Sequence, residues 1–144
     1  QLRLIYQPLL IMGKLVLLQS MSEEFRNALE NAGITTTEQL LDRGATKLQR
    51  QELAVCIGQS EREILTWVNR VDLLRIKVIR QEYTDLLEAA GVYSVLQLRC
   101  LLPSCLFDKL LTVNREAYLV RRMPSETMVV KWVSQAKELE QKVK

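Results

Sequence analysis

Apolar residues recur along this chain at three- and four-residue spacing. Phe25, Leu29 and Ala32 form one such stripe, and Tyr83, Leu87 and Ala90 another. On a helix of 3.6 residues per turn these positions share one face. Period-two alternation is missing, and the apolar run Met128–Val130 lacks the hairpin turns that would make it a strand. The pattern predicts short helices near 8–18, 22–32, 37–43, 47–57, 61–74, 80–90, 95–102, 105–114 and 125–142. A longer surface connection is expected over 114–124, ending at Pro124.

The helix ends carry their own signals. Ser/Thr-x-x-Glu/Gln recurs as Ser20…Glu23, Thr35…Glu38, Thr46…Gln49, Ser60…Glu63 and Ser94…Gln97. In that pattern the hydroxyl accepts from a free amide of the first turn, and the third residue reaches back to the cap amide. Gly33, Gly44, Gly58 and Gly91 follow apolar-periodic runs and suit the left-handed residue that stops a helix.

The pattern also repeats. Leu18–Leu41 aligns without gaps on Ile76–Arg99, so that Glu24, Leu29, Glu30, Ala32, Gly33, Gln39 and Leu40 recur as Glu82, Leu87, Glu88, Ala90, Gly91, Gln97 and Leu98. A second pair follows each copy, SEREILTWV at Ser60–Val68 and SETMVVKWV at Ser125–Val133. Each Ala-Gly-Ile/Val step reads as a helix stop followed by an apolar plug, which assigns Ile34 and Val92 to the core. Three segments follow: an apolar arm or helix over 1–17, a first repeat over 18–75 and a second over 76–144. The boundary between repeats falls near Leu74–Lys77.

Composition narrows the chemistry. At 48% hydrophobic and 26% charged residues the chain is a folding sequence rather than a disordered one. With Gly 5 and Pro 3 it has little turn chemistry for hairpins, which favours helices. It contains no histidine, so a Ser-His-Asp triad, a Cys-His dyad and a His-containing zinc site are excluded. No Gly-rich phosphate loop or nucleotide fingerprint is present, and no cofactor or metal is expected. Cys56, Cys100 and Cys105 are odd in number, and the last two have the wrong spacing for a zinc knuckle or a redox pair. They read as small buried thiols in a reducing, cytoplasmic setting.

The arm over 1–17 is interrupted by Arg3, Gln7, Pro8 and Lys14, and its uncharged runs are too short to span a bilayer. Leu4, Ile5, Tyr6, Leu9 and Leu10 are its candidate contacts with the domain or with a partner. The net charge of +3 is mild for a dedicated duplex binder. Its clearest cluster is Arg115, Arg121 and Arg122, and a second basic run comprises Arg70, Arg75, Lys77 and Arg80. Trp67 and Trp132 sit at matching places in the two copies; core or inter-repeat packing is the favoured reading, with a stacking platform for bases as the alternative. Glu23 with Glu24, and Glu61 with Glu63, fall in first helical turns, where the helix dipole explains them.

The repeated unit resembles a helix-hairpin-helix, in which hairpin amides and a helix start bind a nucleic-acid phosphate. That family has a Gly-apolar-Gly hairpin. Here the corresponding residues are Ser20-Met21-Ser22 and Val78-Ile79-Arg80, with no glycine. Ser20, Ser22, Lys77 and Arg80 remain the candidate contacts there. From about Leu17 to Leu139 the chain is similar to a bacterial family of uncharacterised tandem helix-hairpin-helix-like (SAM-like) proteins. The residues that carry this are 32–46, 65–77, 82–92 and 119–126. The helical pattern and its duplication predict an all-α fold, tandem helix-hairpin-helix-like repeats forming two similar halves about a pseudo-two-fold axis in one compact domain.

These observations lead to a non-enzymatic interaction module with a protein partner, an adaptor or subunit of a larger assembly. The alternative is sequence-nonspecific nucleic-acid binding through the altered hairpins and the arginine cluster. The oligomeric state is not encoded in any pattern found here.

Overall fold

The computed structural model describes residues 13–15, 18 and 20–144. Among these the regular structure is helical: α1 Glu23–Asn31, α2 Thr37–Arg43, α3 Lys47–Ile57, α4 Glu61–Leu73, α5 Gln81–Ala89, α6 Val95–Leu98, α7 Pro103–Ala117 and α8 Glu126–Glu138. The protein is all-α, and the described residues contain no strand, only an isolated antiparallel bridge between Lys14 and Thr36. The helix expected over 8–18 is corrected at Gly13 and Lys14, a turn and a bridge residue, before Leu15 enters a 3-10 turn; Leu15 N donates to Thr35 O and Thr37 N to Gly13 O. The rest of that expectation, with arm contacts Leu4, Ile5, Tyr6, Leu9 and Leu10, lies outside the described residues.

The chain divides into two units. One comprises the described residues up to Val71 together with Val143–Lys144, and the other is Asp72–Lys142. The division falls inside the last turn of α4.

The first unit buries Leu15, Leu18, Met21, Phe25, Leu29, Ile34, Leu40, Leu53, Ile64 and Val68. Ser22, extended at φ −63°, caps α1 by accepting from Phe25 N at 3.2 Å. The cap is thus two residues beyond the expected Ser20. At α2 it is Thr36 rather than Thr35: the two share a capping box with Gln39, whose side chain accepts from both amides. The bond from Leu15 N to Thr35 O holds Thr35 outside the helix. Thr46 with Gln49 forms the box expected for α3. Gly58 is left-handed at φ +68°, but Gly44 is not, at φ −122°. Gly44 is required for another reason: a Cβ there would collide with Cγ2 of Val68 on α4.

The second unit closes around Trp132, Leu86, Leu87, Leu98, Leu110 and Val129, with Leu73, Ile76 and Ile79 from its first turns. α6 stops at Leu98, shorter than expected, and α7 begins at Pro103, which fits the first helical position because that amide has no intrahelical partner. α7 continues to Ala117, so the long connection expected over 114–124 is shorter. The buried Asn114 side chain secures what remains, donating to Val120 O at 3.1 Å and accepting from Val120 N at 3.0 Å. Tyr118 takes a left-handed φ of +47° at the turn.

Local geometry recurs between the units. Leu18 N donates to Leu15 O and Met21 N to Leu18 O; Ile76 N donates to Leu73 O and Ile79 N to Ile76 O. All six of these residues are buried. At the other end of each copy Gly33 and Gly91 both have φ +86°, and Ile34 and Val92 plug the core as expected. Phe25 stacks near Trp67 at 6.4 Å, and Tyr83 near Trp132 at 5.3 Å.

Candidate functional site

Residues 18–21 and 76–79 each form a backbone turn whose apolar ends, Leu18 with Met21 and Ile76 with Ile79, are buried. Their polar groups have structural employment. In the first unit Ser22 is spent on the α1 cap, and Ser20 Oγ accepts from Arg70 at 2.8 Å. The Arg70 guanidinium also lies over the Trp67 ring, 5.1 Å from its centroid. In the second unit the Lys77 amide donates to the Gln135 side chain at 3.2 Å, so this hairpin amide is engaged from α8. Both tryptophans pack inside, Trp132 fully and Trp67 at 9% exposure.

The arginines separate into two kinds. Arg50, unremarked in the sequence, is 4% exposed and ties the first unit together. It donates to Glu61 Oε1, to the carbonyls of Gly44 and Ala45, and to the main-chain oxygen of Lys144, at 2.9–3.1 Å. In the second unit Arg75 pairs with buried Asp72 at 2.6 Å and reaches Glu140 O, while Arg99 donates to Lys137 O and Leu139 O. Burial pushes the Asp72 carboxyl above its ordinary 3.8, with Arg75 and Lys142 opposing the shift. Each of these carbonyl contacts lies at or beyond a helix end, where main-chain oxygens lack intrahelical partners.

The second kind stands in solvent. Lys77, Arg80, Arg115, Arg121 and Arg122 are all exposed. Arg80 occupies the cap position of α5 without a side-chain cap bond. Tyr83, one turn later, donates from its hydroxyl to Arg122 O at 3.4 Å, so the structure brings Arg122 to the end of α5 that Arg80 heads. Arg115 lies in the last turn of α7.

A groove of about 490 Å³ opens in the second unit, lined by Ala90, Gly91, Val92, Leu96, Gln97, Cys100, Leu101, Cys105, Leu106 and Lys109. The expectation of buried thiols is corrected here: Cys56, Cys100 and Cys105 are free and exposed. Cys56 lies on the outer side of α3, and the other two face this groove because α6 ends early and α7 starts at once. Extending the ungapped alignment, Leu96, Cys100 and Leu101 correspond to Glu38, Asp42 and Arg43 in the first unit. A cavity of about 280 Å³ in the first unit is lined by Arg43, Gln49, Glu52, Leu53 and Cys56, and includes neither Glu38 nor Asp42. Nothing in the sequence signalled the groove, since its lining is assembled from the ends of three helices.

Among the described residues no group of three or more Cys, Asp or Glu is placed to hold a metal ion, and no helix is long and apolar enough to cross a membrane. No curated protein and no solved structure matches this chain. One family model does, over residues 19–139, from just before α1 to just past the end of α8. The chain belongs to that family, described as Domain of unknown function (DUF4332).

Proposed function

We propose that this protein is a helical interaction module built from two helix-hairpin-helix-like units, acting as an adaptor or accessory subunit without catalysis of its own. The supporting observation is the outer side of α3. Leu48 and Val55 lie two turns apart on this helix and are 65% and 86% exposed. Residues seven apart share a helix face, and an apolar pair of this exposure suits a partner helix or groove. The hairpins' hydroxyls and the Lys77 amide, in contrast, are held within the chain. Three exposed free cysteines agree with a reducing, cytoplasmic setting.

The test replaces both side chains, Leu48→Glu with Val55→Glu. The sites are exposed, so unfolding stability should change by no more than about 0.5 kcal/mol. Quantitative capture from cells is then compared between the two proteins. Loss of a reproducible partner supports the reading, and an identical capture profile overturns it.

A second reading, sequence-nonspecific nucleic-acid binding, is favoured by the approach of Arg122 to the Arg80 end of α5. A helix start offers unpaired amides and a positive dipole end to a phosphate. This reading requires affinity for DNA or RNA that falls steeply with salt, and its loss in a variant with Arg80, Arg121 and Arg122 all changed to Ala. Absence of binding at low salt ends it.

A further inference from the structure

We propose that the groove between the end of α5, α6 and the start of α7 binds a small amphipathic monoanion, a fatty-acid-like carboxylate of medium chain length. Its walls are the aliphatic side chains of Val92, Leu96, Leu101 and Leu106 with the thiols of Cys100 and Cys105. Small-molecule sites have this character: apolar lining, few polar groups and a volume between about 300 and 1,000 Å³. At roughly 30 Å³ for a water-sized group, the groove has room for on the order of 15 methylene- or carboxylate-sized groups.

The polar lining selects the head group. Gln97 Oε1 is engaged locally, accepting from Tyr93 N at 2.6 Å, which leaves its Nε2 as a neutral donor. Lys109 is the cation of the lining, and it makes no ion pair among the described residues. Its Nζ lies 4.0 Å from where a Cβ on residue 91 would stand, which places the amine beside Gly91 at the groove's edge. One cation and no other uncommitted donor of comparable strength match one negative charge. A nucleotide or other polyanion would leave most of its charge unanswered, and a cation would be repelled. The first unit makes the complementary point: at the aligned positions Glu38 and Asp42 replace Leu96 and Cys100, and both would reject an anion with an apolar tail.

The cysteines supply the readout. Full-length protein is treated with iodoacetamide in the presence of dodecanoate below its micellar concentration, and alkylation of each cysteine is followed by mass spectrometry. Cys56, exposed in the other unit, is the internal control. At ten times the dissociation constant, alkylation of Cys100 and Cys105 should slow by about tenfold, with Cys56 unchanged. Dodecylammonium should protect far less. Lys109→Gln should weaken dodecanoate by about three- to fivefold, the scale of one solvent-accessible ion pair. Unchanged rates at Cys100 and Cys105 overturn the proposal. Equal protection of all three cysteines overturns it too, as surfactant-like adsorption, and so does equal protection by dodecylammonium. The wild-type footprint depends on no variant folding, and its outcome is independent of the α3 experiment.

Discussion

The two units share a set of buried anchors and differ on their surfaces. Leu15, Leu18 and Met21 do in one what Leu73, Ile76 and Ile79 do in the other, and Gly33 and Gly91 turn the chain at the same φ. Yet where the first unit carries Glu38, Asp42 and Arg43, the second carries Leu96, Cys100 and Leu101 around a groove. Turn geometry and core volume constrain the former set, because a lost methylene or a forced φ costs stability wherever it occurs. No such penalty acts on an exposed position of α2 or α6. One scaffold can therefore present two chemically different faces. The units also anchor their chain ends differently, one through buried Arg50 and the other through buried Asp72 with Arg75.

The sharpest way to break this comparison is through the tryptophans. Trp132→Ala should cost about 4 kcal/mol and Trp67→Ala about 3 kcal/mol, since Trp132 is wholly enclosed and Trp67 retains some exposure beside Arg70. Chemical denaturation measures both; a larger loss at Trp67 would reverse the ranking of the two cores. A smaller effect is expected at Gly44. Gly44→Ala should cost about 2 kcal/mol by overpacking, and part of that should return in the double variant with Val68→Ala, because the new methyl collides with Val68. Additive costs would show that the close approach of α4 is not what requires glycine there.

The smallest effect is a slope. Asp72 holds its proton more tightly in the folded protein than at its ordinary 3.8, so the folded state gains protons relative to the unfolded chain in the window just above that value. Stability should fall as pH rises from about 3.8 through the raised value, then level off. Asp72→Asn should remove that component of the slope while any offset from losing the Arg75 bond remains. Parallel stability–pH curves for the two proteins would show that burial of Asp72 does not shift its titration.

Most of the helical order was legible in advance because its signals are local. A hydroxyl three residues before an amide it can cap, or a glycine after an apolar run, acts within one turn, and α3 was bounded correctly from Thr46 and Gly58 alone. The cap at α2 was misplaced by one residue because the choice between Thr35 and Thr36 depends on Leu15, some twenty residues away. Arg50 was invisible for the same reason: its partners come from residues 44, 45, 61 and 144, and only folding brings them together.

The chain's periodicity, caps and duplicated apolar anchors thus determined that it is all-α and where most helices begin, since burial of a helical stripe needs nothing beyond spacing and composition. Tertiary structure decided which charges are buried, that the three cysteines face solvent, and that helix ends enclose an apolar groove beside Lys109. Those properties depend on how separate helices meet, and no local pattern of residues encodes that meeting.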